Sequence, residues 1–117
     1  MLDRKKERYI RKIIDLYLNL PETPTRCARS DIQLASKWYQ EQIKPGDVQA
    51  AMLIATARRL FRRNTHESPL GPIRTLHYFQ PVLQEVRQQP LEADYVEYLR
   101  KNINQAMNVL SISKKKL

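Results

Sequence analysis

Four arginines within six residues, Arg58, Arg59, Arg62 and Arg63, are the densest chemical signal in the chain. Guanidinium groups at that density suit phosphate or carboxylate oxygens, which a planar fork can engage two at a time. No acid stands between Val48 and Thr65 to neutralise them locally. A second basic run, Lys5, Lys6, Arg8, Arg11 and Lys12, follows Arg4 near the N-terminus, and Arg74 stands apart. Groups for covalent or metal chemistry are scarce by comparison. Cys27 is the only cysteine, so no internal disulfide or cysteine-based metal site can form. His66 and His77 have no neighbour in sequence at metal-ligand spacing, and His77 reads as a packed or solvent-edge residue. There is no glycine-rich phosphate loop, no paired-histidine zinc motif and no acidic cluster for two metal ions. The expectation is a non-catalytic protein with no cofactor, no metal and no small-molecule substrate.

The charge has a regional pattern. The net charge is +9 over 117 residues. Residues 1–20 carry +3, residues 48–63 carry +4 and residues 91–117 carry +2, while the two intervening stretches are neutral. Charge bears on partners more than on fold. An anionic partner is expected, and nucleic acid is the commonest. Without a base-reading motif, the contacts would fall on backbone phosphate, a sequence-tolerant and salt-dependent mode. The predicted site is Arg58, Arg59, Arg62 and Arg63, with Lys5, Lys6, Arg8, Arg11, Lys12 and Arg74 assisting, provided these segments share a face. Tyr95 and Tyr98 are the tyrosines best placed to stack on unpaired bases. A solvated basic face or a helix-dipole role is the plainer reading of each charge run.

Positioning these groups takes helices. Glycine is scarce, β-branched runs are short, and Leu, Ala, Gln, Glu, Lys and Arg abound, so the class is all-α. The length suits one domain with one core, residues 1–110, followed by a basic tail at 111–117. The bundle has about five helices around a central apolar one. That central helix is read at 46–63, behind Pro45 and Gly46. Its first half is apolar almost all round and must be surrounded by other elements.

The first helix is read at 4–20, with Ile10, Ile13, Ile14, Tyr17 and Leu18 forming one stripe. Basic residues crowd its first half, against the dipole. Pro21 and Pro24 end it. Ser30 and Gln33 read as a capping box opening a second helix to about Gln42, whose stripe is Leu34, Ala35, Trp38, Tyr39 and Ile43. Lys44 to Asp47 make a tight turn. Residues 64–72 read as a loop. Leu76, Phe79, Val82, Leu83 and Val86 form a further stripe that Pro81 kinks or restarts. The last helix runs from about Leu91 to Leu110 on Val96, Leu99, Ile103, Met107 and Leu110. Helix, short turn and helix invite a helix-turn-helix reading, but the second helix shows Ala50, Met52, Leu53 and Ile54 where polar base-reading side chains would be needed.

The capped helix with a central Trp38, the Pro/Gly turn, the Ala-rich central helix and the basic loop then lead into Tyr78-x-x-x-Val82-x-x-x-Val86. Over Ser30 to Val86 this resembles the C-terminal helical modules of DnaD-like primosome and replisome-organiser proteins, and more loosely replication proteins of mobile elements. The family motif is Tyr-x-x-x-Ile-x-x-x-Trp; here valines take the last two places and Pro81 intervenes. The resemblance implies non-catalytic DNA binding, DNA ahead of RNA, within a larger assembly of protein partners. Two other classes share the size, charge and helicity: small helical subunits of CRISPR effector complexes, and protein–protein adaptors using the stripe from Val96 to Leu110. No run approaches the ~20 apolar residues of a membrane span, and residues 1–12 lack the apolar core of a signal peptide. The expected location is the cytoplasm, with no membrane partner.

Overall fold

The apolar middle segment takes the place its composition demands. In the computed structural model, which describes residues 4–60 and 72–109, it forms helix α3, Pro45–Leu60. Proline opens it, where its fixed φ and missing N–H cost nothing. Val48, Ala50, Ala51, Met52, Leu53, Ala55 and Thr56 are all buried. Helices α1 (Arg4–Leu18), α4 (Gln80–Gln88) and α5 (Ala93–Val109) pack around it, while α2 (Arg29–Gln40) lies against α1. The architecture is an all-α bundle of five helices, with no strand among the described residues. None of these helices is long and apolar enough to cross a membrane.

Where they fall on described residues, the expected boundaries hold to within a few residues, with informative exceptions; the expected end of the central helix at 63, the loop from 64 to 71 and the end of the last helix at Leu110 lie outside the described residues. α1 buries Ile13, Ile14 and Tyr17 as its stripe requires, and adds Tyr9, which meets Tyr39 of α2 edge-on at 5.3 Å between ring centres. α2 starts at Arg29, not after Ser30. The cap is made by Asp31, whose carboxylate accepts the Ala28 N–H at 2.8 Å. The anticipated Ser30–Gln33 box is therefore replaced by the Asp31-to-Ala28 contact two residues earlier. The reason is that Asp31 is fully buried and bonded elsewhere too, whereas Ser30 and Gln33 are exposed.

α2 ends in a Schellman motif. Ile43 N–H reaches Trp38 O at 3.1 Å and Gln42 N–H reaches Tyr39 O at 3.0 Å. Gln42 holds φ 60°, the left-handed conformation that glycine usually supplies. Further on, Pro81 sets the second half of its stripe apart. A 3₁₀ turn, Leu76–Phe79, precedes α4, which restarts with the proline in its first turn. The core is one cluster centred on Trp38, Tyr17, Phe79 and Met52; a smaller one, Leu53 with Leu99 and Ile103, fastens α5. Burying each such large apolar side chain contributes roughly 1.5–3 kcal/mol.

Candidate nucleic-acid interface

The arginines at the end of α3 do not all face solvent freely. Arg58 is exposed but makes a bidentate pair with Glu85 of α4, at 3.0 and 3.1 Å. The hydrogen bond from Arg58 holds the Glu85 carboxyl below its usual range, and the same bond holds Arg58 above its own. Arg59 is more deeply committed. Its side chain is only 6% exposed and binds the Glu22 carboxylate at 2.6 Å. It also donates to the Tyr78 hydroxyl at 3.2 Å and lies 5.3 Å from that ring's centre. Burial pulls this guanidinium down, but the Tyr78 and Glu22 hydrogen bonds outweigh it and leave it raised. Arg59 thus ties the turn after α1 to the end of α3 and to the 3₁₀ turn. Each of the two arginines is thus paired with a carboxylate, Arg58 with Glu85 and Arg59 with Glu22. Arg62 and Arg63 lie outside the described residues, as do His66 and the tail at 111–117.

The N-terminal basic run has a different geometry. Arg4, Arg8 and Arg11 recur at i, i+4 and i+7 on α1, opposite the buried Tyr9, Ile13 and Tyr17. Lys5 and Lys12 flank this line and are exposed too; Lys6 is half-buried on the other side. Acids on the exposed side are Glu7 and Asp15, and shallow grooves run between Arg4, Arg8, Arg11, Lys12 and these two carboxylates. Among the described residues, Arg4, Arg8, Arg11 and Lys12 have no ion-pair partner. At a rise of ~1.5 Å per residue the three arginines span about 10 Å along the helix.

The two basic segments do not share one end of the bundle. Lys6 lines a cleft with Lys44 and Pro45, at the start of α3. Arg59 meets Glu22, beyond the end of α1, at the other end of α3. The separation is the length of a 16-residue helix, about 24 Å. Arg74 is exposed and sits at the Glu22 end, because Ile73 N–H donates to Glu22 O at 2.8 Å.

Comparison with protein-family models, with curated proteins and with solved structures finds no match to this chain. The functional reading rests on its own geometry.

Two further features complete the surface. Tyr95 and Tyr98 are 48% and 59% exposed, and their rings stack on each other at 6.2 Å with 25° between planes. In the stretch Tyr78-x-x-x-Val82-x-x-x-Val86, Val82 and Val86 are buried, so only Tyr78 reaches the surface, and it is engaged by Arg59. Among the described residues, no three His, Cys, Asp or Glu side chains are grouped to hold a metal ion. What sequence reading missed is the buried Asp31. Its Oδ1 accepts Leu76 N–H at 2.9 Å and the Thr75 hydroxyl at 3.2 Å, joining α2 to the 3₁₀ turn across 45 residues. Only its position three residues past Ala28 hinted at a cap.

Proposed function

We propose that this protein is a non-catalytic nucleic-acid-binding module whose contact surface is the outer face of α1, read through backbone phosphate. One observation carries this: Arg4, Arg8, Arg11 and Lys12 are exposed on one helix face with no ion-pair partner among the described residues. Basic groups in the first turns oppose the helix dipole, so helix stability does not account for them. Their line along a rigid helix suits a strand of phosphates, and nothing in it reads base edges. A place in a DNA-replication or mobile-element assembly remains the first setting for such a module, on the resemblance over residues 30–86. The burial of Val82 and Val86 turns that motif toward the core, so α1 supplies the phosphate contacts instead.

The test is a salt titration. Binding of single- and double-stranded DNA and RNA oligonucleotides is followed by fluorescence anisotropy at several salt concentrations. Replacing Arg4, Arg8, Arg11 and Lys12 by Gln lowers affinity and reduces the log–log salt slope by about 3, at 0.7–0.9 per phosphate contact. Arg59→Gln lowers thermal stability and leaves the slope alone. An unchanged slope in the fourfold variant sinks the reading. A protein–protein adaptor is the second reading, favoured by the exposed Tyr95 and Tyr98 on α5; there, nucleic-acid binding is absent in all forms and partner capture requires both tyrosines.

A further inference from the structure

On the side of α1 away from the arginine line lies a concave feature that phosphate-backbone binding does not use. Lys6 and Tyr9 of α1, Tyr39 of α2, and Gln42 and Lys44 of the α2–α3 turn line a cleft of about 640 Å³. That volume falls within the range of small-ligand pockets, roughly 300–1,000 Å³. Two lysines line it from different elements, Lys6 from α1 and Lys44 from the turn before α3, and Tyr39 and Gln42 line it as well. Two acids come near, Glu41 and Asp47, through their effect on the Tyr9 hydroxyl, but neither lines the cleft. The lining is therefore cationic and aromatic, with no carboxylate.

Gln42 supplies an independent pointer. It occupies the left-handed position of the Schellman motif at φ 60°, where glycine would cost nothing. Its side chain is exposed, so no core contact repays the strain. Strained backbone held at the wall of a cleft is a mark of a ligand site. Tyr9 adds to this: the residue lines the cleft, and its hydroxyl is buried and makes no hydrogen bond with the described residues.

We propose that this cleft binds a phosphate-bearing nucleotide, with Lys6 and Lys44 on the phosphoryl oxygens, Tyr39 against the base and the Gln42 amide on its polar edge. The chemistry is shared by a free mononucleotide and by the phosphorylated end of a nucleic-acid strand. The strand-end source rests on the reading of α1 given above; the free-nucleotide source does not.

The experiment uses the whole chain and five probes: a short single-stranded oligonucleotide with a terminal phosphate at either end, the same oligonucleotide without one, a nucleoside monophosphate, its nucleoside, and inorganic phosphate. Binding is measured by anisotropy and calorimetry. The phosphorylated strand, the mononucleotide or both bind about tenfold tighter than their unphosphorylated counterparts. Lys44→Gln removes that preference. Gln42→Gly weakens it while raising the urea midpoint, which shows that the fold is intact and the strain relieved. Preference for the strand over the mononucleotide assigns the strand end; the reverse assigns the free nucleotide. Replacing Arg8 and Arg11 by Gln weakens all strands alike and leaves the mononucleotide unaffected, separating failure of the ridge from failure of the cleft. No phosphate preference in any probe overturns the proposal, and so does inorganic phosphate competing as well as the mononucleotide.

Discussion

Asp31 shows how one side chain can hold distant parts of the chain in register. It is fully buried, and its two oxygens accept from Ala28 N–H, Leu76 N–H and the Thr75 hydroxyl. A buried carboxylate with three donors is satisfied; a buried backbone N–H that loses its acceptor is not. Replacing Asp31 by Ala strands the Leu76 amide in the interior and removes the cap of α2, so a loss of roughly 2–4 kcal/mol is expected in urea unfolding. Asp31→Asn keeps one acceptor oxygen, which can serve one side of the junction but not both, and should fall between. An Asn variant as damaged as the Ala variant would show that charge, not acceptor count, decides the site. Arg59 works in the same way at the surface's edge, spending its guanidinium on Glu22 and Tyr78.

At the scale of the helix, periodicity was legible and partnering was not. The apolar stripes of α1, α2 and α4, and that of α5 as far as Ile103, could be read because burial repeats every three to four residues whatever the neighbours are. The central place of α3 followed from its lack of a polar face. The pairing of Arg58 with Glu85, 27 residues away, and of Arg59 with Glu22, 37 residues away, depends on which helix ends meet, and no local pattern encodes that. For the same reason the basic runs looked equivalent in sequence, although Arg58 and Arg59 are tied to carboxylates while Arg4, Arg8, Arg11 and Lys12 have no ion-pair partner among the described residues. Arg4 sets stability against binding within α1. Arg4 occupies the first turn, where a positive charge meets the positive end of the dipole. Arg4→Glu should stabilise the protein by about 0.3–1 kcal/mol through the dipole, with a further few tenths from a Glu-to-Arg8 pair at i, i+4. The same change should weaken oligonucleotide binding. Thermal melts and anisotropy on one variant read both signs; a gain or a loss in both together would detach the ridge from any phosphate role.

Over the whole molecule, the core carries a dependence on alkaline pH. Tyr9 and Tyr17 are buried, and neither hydroxyl has a hydrogen-bond partner among the described residues. Burial pushes each up to about 12, helped by Asp47 and Glu41 for Tyr9 and by Asp31 and Cys27 for Tyr17. In the unfolded chain both return to the ordinary value near 10. Between those values the unfolded chain has released two protons that the folded bundle retains, so unfolding releases protons and rising pH favours it. The stability these phenols contribute is complete below pH 10 and drains away as pH climbs toward about 12. Urea midpoints should therefore be flat from pH 8 to about 9.5 and fall steeply above 10. The Tyr9→Phe, Tyr17→Phe double variant keeps both rings, and with them the edge contacts to Tyr39 and Phe79. It gives up no hydrogen bond among the described residues, so its stability at neutral pH should match the parent to within about 1 kcal/mol. Its midpoint should barely move over the alkaline window. A double variant that falls as steeply as the parent would place the alkaline weakness in groups other than these two phenols.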